Sequence, residues 1–277
     1  MIDSNRELLE QATPISYKEV GGEELRLHLF QPEESAAAPM GQRSAVLFFF
    51  GSFWDQGLVS QFAPHCAYLA SRGMVAATVD YRVRSQHSST PVEAVADARS
   101  AFRWVRSNAD QLGIDPEKIV GGGASGGAHL VLASSMVEGG DEPSEDLSVS
   151  GSPNAHLGFS PIVEVSKKGS GLDRFADPKL AKLYSPSTHV RKELPPTILF
   201  HGTNDRLIPY PTVERFAKRM RRKKNACDLV TFEGQEHSFF NKNVNMGHYE
   251  ATLNATDQFL VEQGFLQADA DSGESLV

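Results

Sequence analysis

Residues 45–50 read Ala-Val-Leu-Phe-Phe-Phe, six apolar side chains without a break. A strand with one wet face alternates apolar and polar residues, so an unbroken run is the mark of a strand covered on both faces. Such strands belong to mostly parallel sheets with helices packed above and below. The flanking pattern agrees. Strand-like segments at 45–50, 74–79, 118–121, 157–163, 197–200 and 227–232 are separated by helical patterns at 61–71, from 91 to near Gly113, and at 128–136 and 211–222; a last one follows at 249–262. Strand–helix alternation predicts an α/β fold, and right-handed crossovers place its chemistry at the carboxyl ends of the strands.

The remaining segments fit round that core. Residues 15–20 and 25–30 read as two strands joined at Gly21-Gly22, and 31–43 as a loop. Thr90-Pro91-Val92-Glu93 is a capping box with proline at the first helical position, and Val95, Ala98, Phe102 and Val105 follow at helical spacing. Residues 137–153 read as a surface loop. Residues 165–195 have weak periodicity, several charges and three prolines, the pattern of a small inserted cap. The acidic, small-residue segment 267–277 is expected to be disordered. The expected organisation is one domain over 1–266 with a cap-like insertion at 165–195.

Net charge is −8, which argues against a nucleic-acid surface. The basic run at 218–224 suits the exposed C-terminal end of a helix, where cations oppose the helix dipole. Two cysteines, Cys66 and Cys227, match no zinc motif and are too few for a disulfide scaffold. No apolar run reaches membrane-spanning length. Residues 1–10 are polar and carry no signal-peptide core, so a cytoplasmic location is the expectation, although a chain trimmed of its leader would read the same. Oligomeric state is not readable.

Gly123-Ala124-Ser125-Gly126-Gly127 fits Gly-x-Ser-x-Gly. Alone it is a weak motif, and a glycine-rich phosphate loop or structural turn is the bland alternative. Its setting is informative: an apolar strand precedes it and a helix follows. A turn that tight strains the serine and exposes its hydroxyl above the sheet. A serine nucleophile needs a base. Of nine histidines, His237 lies just past the strand 227–232, at a carboxyl end. His129, one helical turn beyond the serine, is expected to pack or hydrogen-bond beneath it. The base needs a carboxylate to fix its tautomer. Asp205 follows the strand 197–200, whereas Glu236 is adjacent to His237 and its side chain diverges. Ser125, Asp205 and His237 are therefore the expected catalytic residues, in the chain order of α/β-hydrolases.

With residues 48–54, Asp80-Tyr81-Arg82, the serine elbow, 202–209 and 234–241 in place, the chain resembles the α/β-hydrolase superfamily, in particular its acetyl-esterase and feruloyl-esterase-like branch near the hormone-sensitive-lipase group. The resemblance implies an α/β-hydrolase fold and a serine esterase acting on short-chain acyl esters of small-molecule, sugar or phenolic alcohols, with no metal and no cofactor. It also implies an oxyanion hole built from the backbone of Ser52, Phe53 and Gly126. Here the sequence departs from pattern: Phe50-Gly51-Ser52-Phe53-Trp54 stands where the family has His-Gly-Gly-Gly. Gly51 and Trp54 are expected to line the substrate pocket, and Asp80 and Arg82 to lock a turn without chemistry. Amide cleavage of the arylformamidase or peptidase type is one alternative. A non-catalytic binding protein on a hydrolase fold is another.

Overall fold

The computed structural model describes residues 3–33 and 42–268. Eight strands form one sheet: β1 (Thr13–Val20), β2 (Glu23–Phe30), β3 (Arg43–Phe49), β4 (Val75–Val79), β5 (Ile114–Ala124), β6 (Ala155–Phe159), β7 (Thr197–Gly202) and β8 (Cys227–Phe232). Their order is β1-β2-β4-β3-β5-β6-β7-β8. β1 and β2 form an antiparallel hairpin, β2 pairs antiparallel with β4, and every later pairing is parallel. The helices are α1 (Arg6–Leu9), α2 (Ala63–Ser71), α3 (Arg84–His87), α4 (Pro91–Ser107), α5 (Ala109–Leu112), α6 (Gly126–Met136), α7 (Pro178–Leu183), α8 (Tyr210–Arg222) and α9 (Met246–Glu262).

The apolar run in β3 divides with the period of two that a strand imposes. Ala45, Leu47 and Phe49 join the core on one face, where Phe49 meets Phe102 of α4 at 5.6 Å between ring centroids. Val46 and Phe48 join the opposite core, where Phe48 stacks on Phe62 at 4.7 Å. β4 divides alike: Val75, Ala77 and Val79 on the first face, Ala76 on the second. Two dry faces explain why no polar residue interrupts the run.

Several expected boundaries move. The helix over 61–71 begins as a 3-10 turn, Val59–Phe62, before α2. The capping box at Thr90 forms as expected, but the helix it starts ends at Ser107, with Asn108 separating it from α5. β5 is longer than 118–121. β6 stops at Phe159 because Ser160 turns with φ 42°, so the apolar residues beyond it are buried loop rather than strand. In 165–195, two 3-10 turns, Leu172–Arg174 and Pro186–His189, flank α7, and Phe175, Ala181 and Tyr184 bury into the main core. The loop 137–153 is pinned: Arg99 and Arg103 of α4 pair with Asp141, and Arg103 reaches Glu145 at 2.8 Å. Arg82 pairs with buried Asp97 at 2.7 Å, and Lys18 meets the same carboxylate at 2.8 Å. Asp80 binds elsewhere, accepting from the Arg26 N–H. Cys66 and Cys227 are buried free thiols. Of the expected tail, residues 269–277 lie outside the described residues, as do 34–41 of the loop at 31–43. No helix among the described residues is long and apolar enough to cross a membrane.

Candidate active site

β5 runs straight into α6 through Ser125, whose φ of 51° and ψ of −114° lie outside the regions most residues occupy. Such a conformation costs about 1–3 kcal/mol and persists only where its surroundings enforce it. Three main-chain hydrogen bonds do so: Ser125 N–H donates to Phe159 O at 2.9 Å, and Ser125 O accepts from His129 N–H at 3.1 Å and Ile162 N–H at 3.3 Å. The flanking glycines are steric requirements. A Cβ on Gly123 would sit 2.6 Å from the Gly127 carbonyl carbon, and one on Gly127 would overlap the Phe49 carbonyl oxygen. His129, one turn along α6, is buried and hydrogen-bonded, its Nε2 2.6 Å from Tyr184 O, and burial pushes its imidazole down to about 4.

Asp205 and His237 meet. The carboxylate lies three residues past β7 and is 7% exposed. Its Oδ1 accepts the N–H groups of Leu207 and Ile208, both at 2.9 Å, and its Oδ2 lies 2.8 Å from His237 Nδ1. An ionised carboxylate only accepts, so Nδ1 carries the proton and Nε2 is left as the basic nitrogen. Burial alone would raise the Asp205 carboxyl. The hydrogen bond and charge of His237, with the Ile208 N–H, outweigh that and hold it below its ordinary range. His201, fully buried, stands behind with Nε2 3.0 Å from Ile208 O and 3.6 Å from Asp205 Oδ2.

The end of β6 links this pair to the elbow. Phe159 O receives the Ser125 N–H, and the next residue, Ser160, donates its hydroxyl to His237 O at 2.8 Å. Among the described residues no hydrogen bond joins the Ser125 hydroxyl to the imidazole; catalytic hydrogen bonds are often loose before substrate arrives.

Opposite lies the loop that departs from the glycine pattern. Phe53 and Trp54 both take left-handed backbone, φ 53° and 57°. For non-glycine residues that costs roughly 1–2 kcal/mol each. A hydrogen-bonded chain offsets it. Trp54 N–H donates to Ser52 Oγ at 2.8 Å, Ser52 Oγ lies 2.6 Å from the Tyr81 hydroxyl, and Tyr81 donates to Phe50 O at 2.7 Å. Because the one Tyr81 proton is committed to Phe50 O, Ser52 must be the donor to Tyr81. The loop approaches the start of α6 so closely that a Cβ on Gly126 would stand 3.3 Å from Phe53 N. Phe53 and Gly126 are thus brought together, while the Ser52 side chain is turned into the loop. Gly51 lines a cavity of about 250 Å³ together with Gln61, Ser238 and Asn241.

Trp54 is not a pocket wall. It is 2% exposed and packs edge-on against His129 and Phe175, so its expected place at the substrate pocket is corrected to the core. An aromatic residue in a loop reads the same in sequence whether it faces a cleft or the interior. Tyr81, Ser160, His201, Gln61 and Asn241 also shape the site. Sequence reading singled out none of them for that role, although Tyr81 and Asn241 fell in matching segments.

The BD-FAE profile matches residues 27–166, half of the chain, including the elbow and the loop opposite. The chain belongs to the BD-FAE family. It has the α/β-hydrolase fold. The prolyl oligopeptidase family profile matches residues 162–263 of this BD-FAE chain, the part that carries Asp205 and His237. Thermogutta terrifontis esterase 2, in a structure phosphonylated by cyclosarin, is 42% identical with a TM-score of 0.88, covering 94% of this chain and 97% of that one. Its butyrate-bound structure gives 40% and 0.89, over 95% and 98%. Among curated relatives, a probable isoprenylcysteine alpha-carbonyl methylesterase of Arabidopsis thaliana is 28% identical over 236 residues, 77% of this chain and 48% of its own length. An acetylxylan esterase of Xylanibacter ruminicola is 29% identical over 183 residues, 62% and 36%. The chain spans about half the length of the curated relatives it first matches.

Proposed function

We propose that this BD-FAE family member hydrolyses short-chain carboxylic esters by acyl transfer, with residues 1–266 acting as one hydrolase domain and 165–195 as its partial cover. Ser125 Oγ attacks the ester carbonyl and its proton passes to His237 Nε2. Asp205 holds the imidazole and balances its new charge. The tetrahedral oxyanion is held by the backbone N–H groups of Phe53 and Gly126; one such donor is typically worth about 3 kcal/mol in the transition state. The intermediate collapses, His237 gives its proton to the departing alcohol, and water releases the acid by the same steps in reverse. Only protein groups and water take part.

The observation that carries this reading is the 2.8 Å pair of His237 and Asp205 at neighbouring strand ends, tied through Ser160 to the strained Ser125 elbow. Short acyl groups are favoured by analogy: structures of Thermogutta terrifontis esterase 2 are described as propionate-bound and butyrate-bound. Turnover of p-nitrophenyl acetate, butyrate and octanoate by the parent and by Ser125→Ala tests it. We expect activity to fall with chain length and the variant to be inactive while folded. Full turnover by Ser125→Ala would overturn the assignment. The prolyl oligopeptidase match favours amide cleavage as a second reading; aminoacyl anilides in the same panel separate the two.

A further inference from the structure

We infer that Gln61 is a positioning residue that, through Asn241, locks the oxyanion loop to the loop carrying His237. The inference rests on the proposed acyl-transfer reading. Its side-chain amide is used at both ends. Oε1 accepts the Gly51 N–H at 2.7 Å, on the strand exit that leads into Ser52 and Phe53. Nε2 donates to Asn241 Oδ1 at 3.0 Å, and Asn241 Nδ2 donates to Ser238 O at 3.0 Å, next to His237. Donors and acceptors match along the whole relay, so each amide has one permitted orientation.

The two bridging residues are 180 positions apart, and their neighbours in sequence are anchored. Phe62 and Phe240 are buried and stack on one another, centroids 6.1 Å apart and planes 10° from parallel. The amide pair therefore stands on an aromatic pair. On its other side, Asn5 reaches Gln61 O at 3.4 Å. In the reaction, negative charge grows at the Phe53 end while positive charge grows on the imidazole. Both must be placed relative to Ser125, and errors near 1 Å can cost about a hundredfold in rate. The Ser52–Tyr81 chain steadies the first loop internally and Ser160 steadies the second from below. Gln61 fixes one loop to the other.

Gln61→Leu and Asn241→Ala test this, measured with p-nitrophenyl acetate beside thermal melts. Each is expected to lower kcat between about ten- and a hundredfold with KM little changed, and the double variant to be no slower than the worse single variant, since either change already opens the relay. Multiplying effects, or lower melting temperature with kcat preserved, would overturn the inference. If Gln61→Leu does not fold, Gln61→Glu carries the test. Its carboxylate still accepts from Gly51 but cannot donate to Asn241. Its deficit relative to the parent at the same pH should shrink toward about pH 4–5, where a carboxyl regains its proton; a constant deficit counts against the relay. Should Ser125→Ala retain activity, the acyl-transfer reading itself has failed. An inactive Ser125→Ala beside a fully active Gln61→Leu removes only the positioning role.

Discussion

The carboxylate of Asp205 spends its two oxygens differently: Oδ1 takes two backbone N–H groups, and Oδ2 faces His237 Nδ1 at 2.8 Å. The backbone bonds fix the carboxylate before the imidazole uses it. Asp205→Asn keeps the shape but can present an N–H to Nδ1, favouring the wrong tautomer. We expect kcat to fall by about 10³–10⁴-fold with the fold retained. Because the native carboxyl lies below its unfolded value, its contribution to stability is present above the unfolded pKa and is lost as pH falls through the folded one. The stability gap between parent and variant should therefore narrow in acid, as urea titrations at neutral and acidic pH would reveal.

Ser52 stands where the family pattern has glycine, and its hydroxyl both accepts from Trp54 N–H and donates to Tyr81. Ser52→Ala leaves a backbone donor without its acceptor, which costs about 1–3 kcal/mol where water cannot replace it. The expected result is a lower melting temperature together with at least a roughly tenfold loss in kcat, from displaced donors. Unchanged kcat in a destabilised variant would show that the chain supports the loop without shaping the site.

Gly127 admits no side chain, because a Cβ there overlaps the Phe49 carbonyl of the neighbouring strand. Relief would need β3 to separate from α6, and both are core elements. Gly127→Ala is expected to cost more than about 4 kcal/mol, enough to prevent accumulation of folded protein. Soluble yield and circular dichroism check it; a native-like melt would mean the elbow is more pliant than its contacts require.

His65 is buried with both ring nitrogens unpaired, inside a cage of Phe48, Phe62, Phe159 and Tyr249. Burial drives its pKa down to about 3. Between that value and about 6.5, the unfolded chain binds a proton that the native protein does not, so this residue makes stability fall as pH falls. His65→Phe removes that slope. Relative to the parent, the variant should gain on the order of 2 kcal/mol between pH 6.5 and 5 in denaturant titrations. Parallel stability curves for the two proteins would contradict it.

The sheet was legible because two dry faces leave an unmistakable apolar run at 45–50, and the elbow was legible because steric demand writes glycine at 123 and 127. Asp205 and His237 could be picked out since a parallel sheet delivers strand ends to one rim. What stayed hidden has physical reasons. The left-handed backbone of Phe53 and Trp54 carries no glycine to announce it, and it exists only because Ser52, Tyr81 and Phe50 meet in space. The Gln61–Asn241 contact joins distant positions whose residue types are common on any surface. Past the end of β6, Ile162 and Val163 continue the apolar character of the strand, and a buried loop there cannot be told from a strand by composition.

The insertion bears directly on the loop across from the serine. Arg174 lies over the Phe53 ring at 5.5 Å and approaches Asp55 at 3.5 Å, while Gly171 packs so close to the Trp54 ring that no side chain fits between them. Segment 165–195 and the loop 51–55 are therefore held together by a cation over a ring, an ion pair and a close glycine contact. On the proposed acyl-transfer reading, an ester large enough to displace that segment would also pull Phe53 away from the reacting carbonyl, so the penalty for size would fall on kcat more than on KM.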